Sequence, residues 1–218
     1  MTEEKSFRKT GSAPAVNPDA AAAPAETPFA LLDPRDQLKQ LLVKELDGKP
    51  FCELSNVTFD HRGASIVGHI LLDTLEEQGY SVDDFDAVGA LTAAAVPLVS
   101  AMILAAASRG EDLNGFVMDF VYPSIKGPSI KGKRVVLLDS WLSEKSYVQT
   151  SSLVTLRNGN ELSLDFGIVE HEGAEVIAIA SLIGGVDMDK PTIKVINPVD
   201  DEERELPFVE VYHESELR

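Results

Sequence analysis

Residues 133–140 run Lys133-Arg134-Val135-Val136-Leu137-Leu138-Asp139-Ser140, and this stretch decides the fold class. Its centre is an uninterrupted run of β-branched and leucine residues, which is typical of a strand buried on both faces. Residues 174–183 repeat the pattern. Strands with two buried faces belong to mainly parallel sheets that helices cover on each side. We therefore predict an α/β domain with a mainly parallel central sheet flanked by helices.

Segments with helical and strand periodicity alternate around these two strands, as an α/β domain requires. Helices are predicted at residues 34–46, 61–78, 96–107, 144–156 and 162–172. Further strands are predicted at residues 85–88, 115–120, 192–196 and 208–212. Because ligands bind at the carboxyl ends of strands in such sheets, the loops of interest follow Val88, Phe120, Leu138 and Ile183.

The chain divides into three regions by composition. Residues 1–30 are rich in Pro, Ala and polar residues without a sustained period, which predicts a disordered tail. Residues 31–185 carry the alternating elements and are predicted to form the α/β domain. Residues 186–218 are interpreted as an acidic C-terminal extension, which contains the cluster Asp200-Asp201-Glu202-Glu203.

The charge balance excludes two classes of partner. With 36 acidic and 19 basic residues the net charge is −17, which repels nucleic acid and anionic membranes. Residues 87–107 are uncharged over the length of a membrane span, but they are mostly alanine, so a strand end, a loop and a buried helix explain them better. The N-terminal residues lack the apolar core of a secretory signal, which favours a cytoplasmic protein. Cys52 is the single cysteine and permits no thiolate cluster, and no metal site is expected.

Three segments resemble the orotate phosphoribosyltransferase family, especially its actinobacterial members. The first is His61-Arg62-Gly63-Ala64-Ser65-Ile66-Val67-Gly68, which is similar to a helix opening of the family. The second is Val88-Gly89-Ala90-Leu91-Thr92 leading to Pro97, similar to the loop that cradles pyrophosphate. The third is residues 133–139, similar to the strand that ends in the phosphoribosyl pyrophosphate motif. The resemblance covers residues 35–185 and implies a type I phosphoribosyltransferase-like fold.

The resemblance implies an activity, a ligand and an assembly. The family's activity is Mg²⁺-dependent transfer of ribose 5-phosphate from phosphoribosyl pyrophosphate to a pyrimidine base such as orotate, a glycosyltransferase step of nucleotide metabolism. The implied ligand is phosphoribosyl pyrophosphate or a nucleotide, and the implied assembly is a homodimer. Gly89 and Thr92 match the pyrophosphate loop, and Asp139 and Ser140 match the donor motif. Mg²⁺ is expected as a cofactor if the donor still binds.

The ligand loops depart from the family's pattern, which favours a pseudoenzyme with a binding or regulatory role. Ser140 replaces the second acidic residue of the donor motif, and Glu144-Lys145-Ser146 stand at the phosphate turn, where a carboxylate repels phosphate. Ala93-Ala94-Ala95 stand where the pyrophosphate loop has a glycine. The stretch 118–128, which corresponds to the flexible catalytic loop, has no histidine. Trp141 is interpreted as filling the vacated pocket or as contacting a partner.

A second alignment of the donor motif keeps an active phosphoribosyltransferase open as the alternative. Arg157-Asn158-Gly159-Asn160 precede the predicted helix 162–172, and Asn158, Gly159 and Asn160 fall where the family's Thr-Gly-Asn lies. On this alignment about fourteen residues are inserted after Asp139, and Arg157 serves a relocated phosphate site. The competing interpretation is that Asn158-Gly159 is an ordinary turn.

Overall fold

The computed structural model describes residues 28–119, 121–150, 163–197 and 199–218. Residues 33–218 form one compact unit, and residues 1–32 form a second unit whose described part contains the 3-10 turn Phe29–Leu31. Most of the predicted disordered tail, residues 1–30, therefore lies outside the described residues. Across the described ranges, no helix combines the length and the apolarity that a bilayer-spanning segment needs.

Local capping signals start and stop the helices of the large unit. The carboxylate of Asp33 accepts a hydrogen bond from the Arg35 N–H at 2.9 Å and caps the first helix. The fourth helix ends at Gly110, whose φ of 78° is the left-handed conformation that glycine adopts readily. The helices in the described residues are α1 Pro34–Glu45, α2 Ser55–Thr58, α3 His61–Glu77, α4 Val96–Arg109 and α5 Gly167–His171.

The described strands join in one mixed sheet. They are β1 Ala87–Ala90, β2 Asn114–Asp119, β3 Ser124–Lys126, β4 Arg134–Ser143, β5 Tyr147–Gln149, β6 Ser163–Asp165, β7 Glu175–Gly185, β8 Thr192–Asn197 and β9 Glu202–His213. Their order is β3-β2-β1-β4-β7-β9-β8-β5-β6. Strands β2, β1, β4, β7 and β9 run parallel, while β3 and β8 are antiparallel to their neighbours β2 and β9. The predicted mainly parallel α/β fold is confirmed.

Two hydrophobic clusters cover the two faces of the sheet. Val136 and Leu138 lie in the cluster that includes residues of α1, α3 and α4, while Val135 and Leu137 lie in the cluster that includes Val169 of α5. All four strand residues are fully buried. The prediction of a strand with two buried faces at 135–138 is therefore confirmed. Leu138 pairs with Ala90, the last residue of β1, so Asp139 of β4 lies beside the carboxyl end of β1.

The segment between β4 and β7 differs from its prediction. The helix predicted at residues 144–156 is wrong in its described part, since residues 147–149 form β5, which pairs with β6 and β8. The buried side chain of Val148 explains this, because a β-branched residue gains more from strand pairing than from a solvated helix. The helix predicted at 162–172 is reduced to α5, and residues 163–165 form β6 instead. Residues 151–156 lie outside the described residues.

The residues after β7 contribute two strands to the same sheet. The amino-terminal half of β9 pairs antiparallel with β8, and its carboxyl-terminal half pairs parallel with β7. Phe208, Val209, Val211 and Tyr212 are buried there. The predicted strands at 192–196 and 208–212 are both present, and β9 begins six residues earlier than predicted. It brings Glu214 to the carboxyl end of β7, beside Gly185.

Candidate functional site

Thr92, two residues after β1, meets Asp139 in the middle of β4. The Thr92 hydroxyl donates a hydrogen bond to Asp139 Oδ1 at 3.0 Å. The Ser140 N–H donates to the same oxygen at 2.6 Å, and the Ser140 hydroxyl lies 3.3 Å from it. The structure thus brings together three of the residues that the sequence placed in the site. These hydrogen bonds link the three residues with one another, and the Trp141 backbone also donates to the Asp139 carboxylate.

The Asp139 side chain is almost withdrawn from solvent. Asp139 is 4% exposed and Ser140 is 3% exposed. Burial raises the pKa of the Asp139 carboxyl above its ordinary value, against the opposing effect of the hydrogen bonds from Ser140 and Thr92, which favour the ionised form. A carboxylate in this position can accept bonds from its neighbours, but it presents little surface to a ligand.

Gly89 has a packing role. It lies inside β1, and a Cβ atom at this position would overlap the ring of Phe116 on the neighbouring strand β2. Phe116 is 1% exposed, so the ring cannot move away freely. The close approach of the aromatic ring explains the glycine without a ligand. Gly89 therefore packs against Phe116, while Thr92, three residues later, contacts Asp139.

The pyrophosphate loop of the resemblance is short and helical in the structure. Ala93–Ala95 form a 3-10 turn that leads directly into α4. The Ala95 N–H donates to the Thr92 carbonyl at 3.1 Å, and the Leu91 N–H donates to the Leu138 carbonyl at 2.8 Å. Two of the loop's backbone N–H groups therefore already have acceptors within the protein.

Strand β4 continues for four residues beyond Asp139. Trp141, Leu142 and Ser143 pair with Ile183, Gly184 and Gly185 of β7. Side chains of β4 alternate between the two clusters up to Leu138, which packs in the first cluster. The alternation then shifts by one residue, because Trp141 packs against the first cluster and Leu142 lies in the second. Residues that follow the donor motif in the sequence are thus part of the sheet.

The turn after β4 uses its backbone N–H groups internally. The Ser143 N–H donates to Ser146 Oγ at 3.0 Å, and the Glu144 N–H donates to the Gly185 carbonyl at 3.3 Å. The Lys145 N–H donates to Ser143 Oγ at 3.3 Å, and the Ser146 N–H donates to the Ser143 carbonyl at 2.9 Å. A phosphate-binding turn needs free N–H groups. All four of these are occupied.

Trp141 is tied to the end of the chain. Its indole N–H donates to Glu214 Oε1 at 2.6 Å, and its ring is partly buried against the first cluster. That the ring fills the vacated pocket beside the donor motif stays a prediction. The contact with Glu214 could not be predicted, because 73 residues separate the two and neither neighbourhood carries a motif.

A group of ionisable side chains at the ends of β7 and β9 was missed by the sequence analysis. Burial raises the pKa of the Glu210 carboxyl to about 7. His213 Nε2 lies 3.1 Å from Asp187 Oδ1. A cavity of about 450 Å³ opens beside them, and it is lined in part by Asp189 and Ser215. Alternation along β9 gave no signal for a half-buried carboxyl at position 210.

The stretch that corresponds to the flexible catalytic loop forms a tight hairpin of β2 and β3. Asp119 Oδ1 accepts hydrogen bonds from the Val121 and Tyr122 N–H groups, at 3.0 and 3.2 Å. Lys126 Nζ lies 3.5 Å from Asp119 Oδ2, so its charge already has a partner. Phe120 lies outside the described residues, as do Arg157, Asn158, Gly159 and Asn160 of the alternative phosphate site.

Within the ranges that the structure describes, no three His, Cys, Asp or Glu side chains are arranged to hold a metal ion. At the donor motif Asp139 stands without a second acidic residue, because Ser140 follows it. The described residues therefore do not fit a metal site built from protein carboxylates alone.

The fold has counterparts among solved structures. The orotate phosphoribosyltransferase of Mycobacterium tuberculosis in complex with 5-phospho-alpha-D-ribosyl 1-diphosphate superposes with a TM-score of 0.55 at 16% identity, over 87% of this chain and 95% of that chain. A phosphoribosyltransferase from Corynebacterium diphtheriae gives a TM-score of 0.55 at 18% identity, over 85% and 99%. These likenesses establish the type I phosphoribosyltransferase-like fold. No family model matches the chain.

Sequence relatives decide the family. The orotate phosphoribosyltransferases of Streptomyces avermitilis and Streptomyces coelicolor are each 31% identical to this chain over 151 residues, which cover 66% of this chain and 72% of the relative. The chain belongs to the orotate phosphoribosyltransferase family. The orotate phosphoribosyltransferase of Tropheryma whipplei is also 31% identical, over 61% of this chain and 56% of the relative. The resemblance of the three sequence segments to the orotate phosphoribosyltransferase family is thereby confirmed.

Proposed function

We propose that this member of the orotate phosphoribosyltransferase family does not transfer ribose phosphate and acts as a binding or regulatory module. The observation that carries the proposal is the hydrogen bonding of the backbone N–H groups of residues 143–146. Aligned without gaps, Glu144-Lys145-Ser146 stand at the phosphate turn, and the four N–H groups of 143–146 donate within the protein. A donor phosphate would have to displace these bonds.

The energetic cost of that displacement is large for a small ligand. Each hydrogen bond to a charged group contributes about 1.5–3 kcal/mol. The loss of one such bond therefore weakens binding by about tenfold or more. The exposed carboxylate of Glu144 adds repulsion to a phosphate at this turn. Together these effects support a protein that has lost affinity for phosphoribosyl pyrophosphate.

Asp139 supports the same proposal from the ribose side of the motif. Its Oδ1 accepts bonds from Thr92 and Ser140, and the side chain is 4% exposed. A residue that holds ribose hydroxyls must expose its carboxylate to them. In this chain the carboxylate joins the segment after β1 to the middle of β4 instead.

Calorimetric titration with phosphoribosyl pyrophosphate and Mg²⁺ tests the proposal. We expect no heat of binding up to about 1 mM ligand, the concentration at which a standard binding free energy of about −4 kcal/mol half-saturates a site. The orotate phosphoribosyltransferase of Streptomyces avermitilis, titrated in the same buffer, is the positive control. Product formation with orotate is assayed in parallel, and we expect none above background.

If the protein is instead an active phosphoribosyltransferase, the titration should show binding of phosphoribosyl pyrophosphate. If Arg157-Asn158-Gly159-Asn160 form a relocated phosphate site, binding is micromolar and is lost in both Arg157→Ala and Gly159→Ala. That result would overturn the proposed non-catalytic role. Lys190→Ala, which changes a cation elsewhere on the surface, is the matched control and leaves binding unchanged in either case.

We also propose a homodimer, as the resemblance implies. Leu104 on α4 is 71% exposed, which is consistent with an apolar contact between subunits. Light scattering after size exclusion measures the assembly, and a monomer mass at all concentrations contradicts it. Leu104→Glu is expected to shift the dimer to monomer without unfolding it.

A further inference from the structure

A cavity opens between the carboxyl end of α1 and residues 217–218. Its volume is about 880 Å³, and sites for small organic ligands measure roughly 300–1,000 Å³. We call it the α1 cavity and define it by residues 46–50, Val43, Lys44, Leu217 and Arg218, which line it. None of these residues belongs to the site of Thr92 and Asp139, so the α1 cavity is a separate place in the fold.

A glycine turn builds one wall of the α1 cavity. Helix α1 ends at Glu45, and the Lys49 N–H donates to the Leu46 carbonyl at 3.1 Å, which closes the turn. Gly48 has a φ of 70°, the left-handed conformation that glycine adopts readily. A Cβ atom there would meet no heavy atom within 4 Å beyond its chain neighbours, so the backbone conformation selects this glycine. The space beside the turn is therefore open to a ligand.

The floor of the α1 cavity is apolar. Leu46 and Leu217 are each 3% exposed and belong to the first hydrophobic cluster, so the core holds them in place. Val43 of α1 is 44% exposed and adds apolar surface to the lining that water still reaches. Covering such a surface with a hydrocarbon or aromatic group is favourable. A ligand with an apolar body would cover Val43.

Arg218 places a cation over this floor. Its guanidinium carbon lies 4.0 Å from the centroid of the Phe51 ring, and Nη2 donates to the Lys49 carbonyl at 2.6 Å. A guanidinium has five N–H donors, so this bond leaves others for a ligand. Because the ring and the carbonyl already hold the group, an anion that binds it loses less side-chain freedom.

The lining of the α1 cavity reverses the charge balance of the chain. It contains three basic residues and one acidic residue, whereas the whole chain has 19 basic and 36 acidic residues. Lys49 Nζ pairs with Glu45 of α1, so its charge is already balanced. The Lys44 ammonium has no hydrogen-bond or ion-pair partner among the described residues. Lys44 and Arg218 are therefore the cations left for a ligand, and Asp47 opposes them.

We propose that the α1 cavity binds a small organic anion with an apolar body, such as a carboxylate or sulfonate on a hydrocarbon or aromatic group. Arg218 and Lys44 hold the anionic group, while Val43, Leu46 and Leu217 contact the body. An inorganic anion lacks the body, and a neutral or cationic molecule lacks the charge. The proposal does not depend on whether phosphoribosyl pyrophosphate binds at the donor motif.

Titration with anilinonaphthalene sulfonate tests the proposal, because this probe is an aromatic anion whose fluorescence rises on apolar surfaces. We expect saturable binding of one equivalent to the full chain, weakened by NaCl as an attraction between charges requires. Hexanoate should displace the probe, whereas hexylammonium and inorganic phosphate at the same concentration should not. Far-ultraviolet circular dichroism of the titrated protein checks that the probe does not unfold it.

Three exposed positions of the lining give variants with opposite expected effects. Lys44→Gln removes a cation and should raise the dissociation constant of the probe by up to about fivefold, the loss expected of an exposed ion pair. Val43→Glu adds a carboxylate beside the anion and should raise it about tenfold or more. Asp47→Asn removes the opposing charge and should lower it by up to about fivefold. Circular dichroism confirms that each variant is folded.

Lys190→Gln is the matched control, because Lys190 is an exposed cation outside the lining, and it should bind the probe as the wild type does. Absence of saturable binding to the wild type up to about 1 mM probe, a binding free energy near −4 kcal/mol, would overturn the proposal. Equal dissociation constants in the wild type, Lys44→Gln and Val43→Glu would also overturn it, since the probe would then occupy another surface. The titration with phosphoribosyl pyrophosphate is read separately, so the failure of one proposal is distinguishable from the failure of the other.

Discussion

At the residue scale, one carboxylate joins the segment after β1 to the middle of β4. Asp139 and Thr92 are 47 residues apart and each follows a buried apolar run, so their meeting could be predicted from the alternation of elements. The direction of the Thr92 hydroxyl could not be predicted. It depends on the turn Ala93–Ala95 that follows, and three alanines carry no signal for a 3-10 turn against an open loop.

The Thr92 hydroxyl is expected to stabilise the fold through Asp139. Thr92→Val keeps the shape but removes the donor, and we expect a loss of about 1–3 kcal/mol in the free energy of unfolding. The donor favours the ionised carboxyl, so Thr92→Val should raise the pKa of Asp139 further. A carboxyl whose pKa is raised in the folded state destabilises the fold as pH rises and the group ionises. The loss of unfolding free energy caused by Thr92→Val should therefore be larger at about pH 8 than at about pH 5. Urea unfolding at both values measures it.

Thr92→Ser is the matched control, because it retains the hydroxyl. Its stability should lie near that of the wild type once the missing methyl group is allowed for, at roughly 1 kcal/mol. Equal unfolding midpoints for Thr92→Val and the wild type at both pH values would show that the bond contributes nothing.

At the residue scale, the sequence also left two explanations open for Gly89. Gly89 matches the pyrophosphate loop of the orotate phosphoribosyltransferase family, and the same glycine is needed for the Phe116 ring to pack on β1. A family motif and a packing constraint select the same amino acid there. Only the position of the ring on the neighbouring strand separates the two explanations.

At the element scale, β4 is longer than the sequence predicted. The run Val135 to Leu138 predicted a strand, and it was found. The extension to Ser143 was not predicted, because Asp139 and Ser140 interrupt the apolar run with polar residues. Those residues stay in the strand because Asp139 accepts hydrogen bonds from Thr92 and Ser140 and because β7 continues alongside.

Leu142 gives a test of that extension. It is fully buried in the second hydrophobic cluster, whereas a residue of a ligand loop at this position would be open to solvent. We expect Leu142→Ala to cost about 2–5 kcal/mol of unfolding free energy, the usual range for a buried leucine. Denaturant titration followed by circular dichroism measures the change.

Leu31→Ala is the control for the same chemical change on a surface. Leu31 is 74% exposed in the 3-10 turn Phe29–Leu31, and its truncation should change the unfolding free energy by about 0.5 kcal/mol or less. The β4 extension would be contradicted by a loss at Leu142 as small as the loss at Leu31.

The helices show what periodicity could and could not predict. The start of α1 at Pro34 and the stop of α3 before Gly79 follow from capping and glycine signals, and both were found. The helix predicted at 144–156 was wrong in its described part, since a short amphipathic segment also forms a strand when a partner such as β8 is available. Local periodicity contains no information about that partner.

At the scale of the whole molecule, repulsion among the negatively charged side chains opposes folding into a compact state. A net charge of −17 on 218 residues concentrates negative groups around a core that packing alone must stabilise. Several carboxylates are neutralised locally, as Asp73 is by Arg109 at 2.7 Å. The cations are too few to pair with every acid, because 36 acidic residues face 19 basic ones.

Salt is therefore expected to stabilise the protein. Raising NaCl to about 0.5 M shortens the screening length to a few ångström and weakens the repulsion among like charges. We expect the melting temperature to rise by about 2–4 °C, which for this chain length corresponds to about 1 kcal/mol. Differential scanning fluorimetry at constant pH measures it, with KCl at equal ionic strength as the check for a sodium-specific effect. A melting temperature that falls with both salts would contradict the expectation.

The place of β9 between β7 and β8 has a consequence for biosynthesis. Synthesis proceeds from the amino terminus, so β1, β2, β4 and β7 leave the ribosome while the side of β7 that β9 will cover is still bare. Until β9 emerges, an exposed row of amide and carbonyl groups on β7 can recruit strands from other nascent chains. A pause in translation after residue 185 would lengthen that vulnerable interval, and chaperone dependence should be greatest there.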